Sequence, residues 1–402
     1  METGLNLSQS LEPNSSHMRT GGLLLENIID MRWHELIFIC FYLIFFLYFL
    51  RYLISYLKLE KNKVYFLVSF HYVFIIFSYI YSLFNVNDVD TYFQHGYLFA
   101  TGEDEVISAN YYVAALNYLL IYLLNLHYFT TFIFIGFFSS IGYVLLYASF
   151  SEILKNFKIN KNYLLLFFLF PSWHFFTSFP GKDGILLFAL GLYYFFLSKK
   201  KYFFLILPLV LVYLFRTHMV ILLLGSTVFV WATYNFINKK NKLFYLIFFS
   251  LSFILIIFFI NKLNPSYFDP LFNFLELGRF YRNLSILDTG WYSTGDNIFF
   301  NSLKYLLYPL YDLSSLTRII ISFENILFCL VFLIGMMNIN KKLLFELLKK
   351  NEIIFALVFF ICGVLILSNF TANIGISTRQ KWMMMPSLIL FITPLLSKFK
   401  FK

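Results

Sequence analysis

The sequence predicts an all-α integral membrane protein of about 11 transmembrane helices, bounded by about 10 and 12. Three observations carry that prediction. Only 13% of the 402 residues are charged and 60% are hydrophobic, with 56 Phe and 30 Tyr. A soluble domain carries about 25% charged residues, so this chain has too few to cover its own surface. Apolar runs of about 17–25 residues, the length that spans a bilayer as a helix, recur from residue 35 onward. These runs are continuous rather than alternating, so helices, not barrel strands, satisfy the backbone in lipid.

Taken in order, residues 1–34 read as a polar N-terminal tail, a tag or a mis-assigned start before Met31. They lack the cationic start and apolar core of a cleavable signal. Residues 35–402 read as one polytopic membrane domain. Spans are expected at 35–57, 64–84, 128–151, 163–179, 184–198, 202–217, 219–237, 243–261, 319–338, 353–369 and 383–397. Residues 111–127 are apolar too, but a span there puts the next lysine cluster on the wrong side. They read as an amphipathic helix on the outer interface, with Asn117 and Asn125 on its wetter side. The two long outer loops are 85–127 and 262–318. The three cysteines fall inside apolar runs and read as buried thiols, with no disulfide or metal spacing.

Charge sorts by type as well as by place. Nineteen lysines occupy alternate connections: Lys58, Lys61 and Lys63; Lys155, Lys158 and Lys161; Lys199, Lys200 and Lys201; Lys239, Lys240 and Lys242; Lys341, Lys342, Lys349 and Lys350; Lys398, Lys400 and Lys402. The positive-inside rule assigns them to the cytoplasm, with the N-terminus outside and the C-terminus inside. No arginine joins them, whereas Arg216, Arg279, Arg282, Arg318 and Arg379 all fall on the outer side. Lysine suffices to set topology; arginine adds a planar fork that fits phosphate and carboxylate. The net charge of +10 sits in short loops, which argues against nucleic acid.

Five groups of residues on the outer side carry candidate chemistry. The window 88–105 holds Asp88, Asp90, Glu103, Asp104 and Glu105 with no Lys or Arg. Asp88 and Asp90 can act as a base with an orienting partner, as half of a cation site, or as part of a solvated loop. In "FPSWHFFTSFPGKDGILLF" (170–188) the prolines break the run and set Lys182 and Asp183 at a turn. That pair reads either as a turn salt bridge or as a phosphate ligand beside a helix cap. His174, one turn inside, reads as a packed, hydrogen-bonded residue. In "YLFRTHMVILLLG" (213–225) Arg216 and His218 lie in a connection too short to leave the membrane surface. An ionisable residue at that depth is a functional candidate by default, and Arg216 needs a distant partner or an anionic ligand. The loop 262–318 interleaves Arg279, Tyr281, Arg282, Trp291 and Tyr292, a composition that suits either a sugar surface or an interfacial belt. Arg379 and Lys381, in "NIGISTRQKWMMMP", read as cations just outside the last span. Glu324 lies inside span 319–338, where it can pair with Arg318 or serve the site.

An Asp pair after a span, an interfacial helix and short paired spans with a "P-S-x-H…G-K-D" turn resemble the GT-C class of membrane glycosyltransferases. The "R-T-H" step and the terminal "R-Q-K-W…P" resemble bacterial O-antigen and exopolysaccharide polymerases. The resemblance covers residues 64–235, and the remainder in outline; its acidic pair follows the second span rather than the first. It implies a GT-C-like fold at the outer face of the bacterial inner membrane, acting on sugars linked to polyprenyl phosphate or pyrophosphate. It implies Asp90 or Asp88 as the catalytic base. It implies Arg216, Lys182 and Arg379 at the lipid phosphate; the residues themselves add His218 and Lys381 to that expectation, and the aromatic composition of 262–318 sets Arg279, Arg282, Tyr281, Trp291 and Tyr292 at the acceptor glycan. The implied partners are a polyprenyl-linked sugar donor, a glycan acceptor and membrane lipid, with no nucleic acid. No cofactor is called for, and a divalent metal stays open. Polymerisation of repeat units leads; a GT-C monosaccharide transferase and a lipid-linked oligosaccharide flippase are the alternatives.

Overall fold

The computed structural model describes residues 33–85, 92, 111–124, 126, 128–157, 159, 161–238, 298–307, 316–339, 341–370 and 374–398, which are 89% helical with no strand. The expected span 243–261, Asp88, Asp90, Asn125, Arg279, Tyr281, Arg282, Trp291 and Tyr292 lie outside the described residues. The described helices are α1 (Trp33–Leu57), α2 (Lys61–Phe84), α3 (Tyr111–Asn117), α4 (Tyr128–Ile153), α5 (Lys161–Phe167), α6 (Pro171–Thr177) and α7 (Lys182–Ser198). They continue with α8 (Ile206–Phe215), α9 (Thr217–Asn238), α10 (Ile298–Leu307), α11 (Leu316–Met337), α12 (Lys341–Leu347), α13 (Asn351–Phe370) and α14 (Ile374–Ile392).

Five of these, α1, α2, α4, α11 and α13, are long and apolar enough to cross a membrane. The pair α6 and α7 makes a sixth if counted as one broken span, with a bend of 111° between them. The expected span 163–179 is not one helix. It splits ahead of Pro171, because the residue before a proline avoids helical backbone, and α5 and α6 are seven residues each. The segment expected at 202–217 is an apolar helical stretch of less than spanning length, Tyr202–Phe215, whereas that expected at 219–237 lies within the 22-residue α9. The last helix begins at Ile374, well before the expected 383, so Arg379 and Lys381 lie within it. Large side chains on the outside, such as Phe41 at 70% and Tyr48 at 76% exposure, give α1 an apolar face suited to lipid.

The segment 111–127 corrects one expectation. The helix α3 runs on as a π-helical stretch, Tyr118–Leu123. Asn117 is not on the wet side: it is buried, and neither polar side-chain atom has a hydrogen-bond partner among the described residues. Tyr111 and Tyr112 take the exposed face instead. A phenol ring satisfies an interface as well as an amide does, so the polar residue alone does not mark the outer side.

The centre of the fold is a parallel pair, α4 and α7. Gly184 meets Ile135 and Ser139, Gly142 meets Leu187, Gly191 meets Gly142, and Phe150 meets Tyr194, so the numbering rises together along both helices. A Cβ on Gly142 would lie 2.7 Å from the Leu187 carbonyl, and one on Gly191 would lie 2.6 Å from the Gly142 carbonyl. Backbone-to-backbone approach of this kind is how helices gain packing in lipid, where burial of apolar surface gives no drive. Tyr143, Tyr147, Tyr193, Tyr194, Phe168 and Trp173 fill the adjoining core.

Lysine-bearing loops meet at one end of this pair. The charges of Lys155, Lys199 and Lys350 all act on Glu152. Lys350 donates to the Ile153 carbonyl at 2.6 Å, capping the negative end of α4. Burial holds the Lys350 ammonium below the ordinary lysine pKa. Lys58 and Lys200 occupy the left-handed position, φ 54° in both, that ends α1 and α7. Each is followed by the paired backbone bonds of a Schellman turn: Leu59 to Ile54 and Lys58 to Ser55, then Lys201 to Phe196 and Lys200 to Leu197.

Candidate functional site

At the opposite end of α7 lies an ion pair. Arg216 ends α8, and its Nη2 donates to Asp183 Oδ1 at 3.1 Å. The two side chains are 14% and 12% exposed, so water screens them little. The Arg216 Nε is buried with no hydrogen-bond partner among the described residues. Asp183 stands in the first turn of α7, where the helix dipole favours a carboxylate. Lys182 precedes it, and the charges of Arg216 and Lys182 both act on the ring of His218 in the first turn of α9. The sequence asked for a distant partner for Arg216, and the fold brings one from 33 residues away.

Gly181 is the N-cap of α7. A Cβ there would lie 2.7 Å from the ring of Tyr92, so the glycine admits that ring against the turn. Tyr92 follows Asp90 by two residues in the sequence. With α7 about 25 Å long, this arginine end and the lysine end stand about a hydrocarbon core apart.

A second polar site lies between α6, α11 and α14. Glu324 Oε1 accepts from the Ser172 backbone N–H at 2.6 Å, and Oε2 accepts from the Ser172 hydroxyl. The carboxylate thus caps α6 from another helix, where Phe170 at the N-cap makes no side-chain bond. Lys381 faces the same hollow and donates to the Leu306 carbonyl at 3.3 Å. It is 4% exposed and Glu324 is 7% exposed, so Lys381 is not the cation just outside the last span that the sequence led us to expect. Trp173 and Trp382 form walls; their Nε1 donors are buried and have no hydrogen-bond partner among the described residues. The hollow measures about 480 Å³ with its open mouth and holds about 40 Å³ of water-sized space. Arg379, two residues before Lys381 on α14, lies over the Phe176 ring at 5.7 Å.

A third group is fully buried. His174 Nε2 donates to the Phe168 carbonyl at 2.6 Å, since a carbonyl can only accept. With one proton per ring, His174 Nδ1 accepts from His71 Nδ1 at 3.0 Å, and His71 Nε2 accepts from the Ser139 hydroxyl at 2.6 Å. His174 also stacks on Tyr143 with centroids 4.3 Å apart. It is the packed, hydrogen-bonded residue the sequence led us to expect, and its bonds join α2, α4 and α6.

Sequence reasoning missed His71, Ser172 and Trp173. A signal existed for His71, which is the one His, Lys, Arg, Asp or Glu between residues 64 and 84. Ser172 carried none, because its importance lies in a carboxylate 152 residues away. Among the described residues, no three His, Cys, Asp or Glu side chains gather as a metal site would require. No family model, curated protein or solved structure matches the chain.

Proposed function

We propose that the protein is a membrane glycosyltransferase acting on sugars linked to polyprenyl phosphate or pyrophosphate at the outer face of a bacterial inner membrane. It polymerises O-antigen or exopolysaccharide repeat units, on a GT-C-like scaffold of about eleven spans that leaves the N-terminus outside and the C-terminus cytoplasmic. One observation carries this reading. Tyr92, next but one to Asp90, packs on Gly181, at the turn that holds Lys182 and the Asp183–Arg216 pair. Acids and phosphate-binding cations are thereby candidates for one site.

The chemistry follows from that neighbourhood. Asp90, or Asp88 beside it, takes the proton of an acceptor hydroxyl as its oxygen attacks the anomeric carbon. The bond from that carbon to the lipid (pyro)phosphate breaks, and the leaving oxygen gains negative charge. Cations held in place before the reaction stabilise that charge more in the transition state than in the ground state. Asp183 holds the Arg216 guanidinium in position, and the fork's remaining N–H groups are its phosphate donors. The donor arrives in the membrane, so no nucleotide loop is needed. The aromatic stretch with Arg279, Tyr281, Arg282, Trp291 and Tyr292 is the proposed acceptor surface.

The test is a mass profile of lipid-linked glycans in the source cell with the gene deleted. Complementation follows with wild type, Asp90→Asn or Arg216→Lys. Single complete repeat units accumulating without long chains support polymerisation. A repeat short by one sugar moves the reading to a monosaccharide transferase. Unchanged glycans, or full restoration by Asp90→Asn, overturn the proposed chemistry. A flippase is the second reading, favoured by the charges of Glu324 and Lys381 buried within helices. It expects complete lipid-linked units to accumulate on the cytoplasmic side.

A further inference from the structure

We propose that the hollow between α6, α11 and α14 takes the hydroxylated edge of a lipid-linked sugar, making it a sugar subsite separate from the phosphate-binding cations. This rests on the glycosyltransferase reading and names the residues that meet the glycan. Lys381 offers an ammonium and Glu324 a carboxylate across one hollow. Trp173 and Trp382, 2% and 3% exposed, line it with ring surface. The ammonium can only donate, so the hollow beside it calls for an acceptor oxygen.

Glu324 decides which oxygens fit. Two of its acceptor directions are taken by Ser172, and a carboxylate has about four, so it can still receive a hydroxyl proton. A phosphate would set like charges side by side, with no proton to share. A sugar hydroxyl donates to Glu324 and accepts from Lys381, and the sugar's C–H face lies against Trp173 or Trp382. The enclosed space, about 40 Å³, accepts the hydroxylated edge of a ring, and the rest of the sugar stays at the open mouth.

The experiment uses full-length protein in lipid nanodiscs and reads tryptophan emission. The probe is the lipid-linked glycan extract of the deletion strain, compared with the same extract after mild acid has removed the sugars. We expect the glycosylated extract to shift the emission and to bind at least about tenfold more tightly than the acid-treated one, in line with hydrogen bonds to charged groups. The double variant Glu324→Gln with Lys381→Met removes both charges together, a change that buried pairs often tolerate in folding. We expect it to melt like wild type yet lose that tenfold preference. If its melting falls, Glu324→Gln alone, which keeps the side chain's shape and an acceptor for Ser172, is expected to weaken the preference severalfold. Equal binding of the two extracts overturns the subsite, as does a folded double variant, or Glu324→Gln, that keeps the full preference. If deletion leaves the cell's glycans unchanged, the functional reading falls first; if the glycans change but these variants bind normally, only the subsite falls.

Discussion

The two ends of α7 hold charge in opposite ways. At the lysine end, Lys155 and Glu152 pair at 2.8 Å with side chains 61% and 41% exposed. At the arginine end, Arg216 and Asp183 pair at 3.1 Å with 14% and 12% exposed. The first pair contributes little to stability, because water screens it and two mobile side chains must be held. The second leaves a charge stranded in an apolar surrounding if either partner is lost. A topological signal needs only a count of positive charges, and exposed lysines supply it. A binding site needs each charge at a fixed place, and that takes a buried partner.

The sharpest way to break the contrast is to disturb the helix pair that separates the two ends. Gly142→Leu drives a side chain into the Leu187 backbone, which cannot rotate away. It should destabilise the protein by more than about 3 kcal/mol, read as loss of the folded peak on size-exclusion in detergent. Next comes Asp183→Ala, which strands the Arg216 charge and should cost about 2–4 kcal/mol. Thermal melting checks it, and a melt within a degree of wild type would mean that the pair is only incidental. Lys200→Gly relieves a left-handed lysine and should raise stability by about 1 kcal/mol, seen as a higher melting temperature. The smallest effect belongs to Lys155→Ala, expected to stay within about 0.5 kcal/mol. If Lys155→Ala and Asp183→Ala shift the melt equally, the two ends are not different in kind.

Much of this frame was legible one segment at a time. Residues 128–151 are apolar without a break, and α4 covers them. Pro171 and the Pro180–Gly181 step mark both ends of α6, and Arg216 marks the join of α8 and α9. What could not be read was tertiary. Asp183 gives no sign in its own neighbourhood that it will meet a residue 33 positions on. Asn117 looked like the wet side of an interfacial helix because its type is polar; packing turned that face inward. Lys381 looked interfacial because the last apolar run starts after it, whereas helical structure begins at Ile374 and carries the lysine into the core. The pairing of Glu324 with Ser172 depends on two helices whose contact leaves no trace in either sequence.

Because α4 and α7 run the same way, the chain must return between them, and α5 and α6 make that return. The break ahead of Pro171 opens a fresh helix start in a region where lipid offers no acceptor. Its Ser172 amide is met by Glu324, which is made 152 residues later. At about 5–20 residues per second, that is a delay of about 8–30 s. The start of α6 therefore waits for its acceptor until α11 has been made.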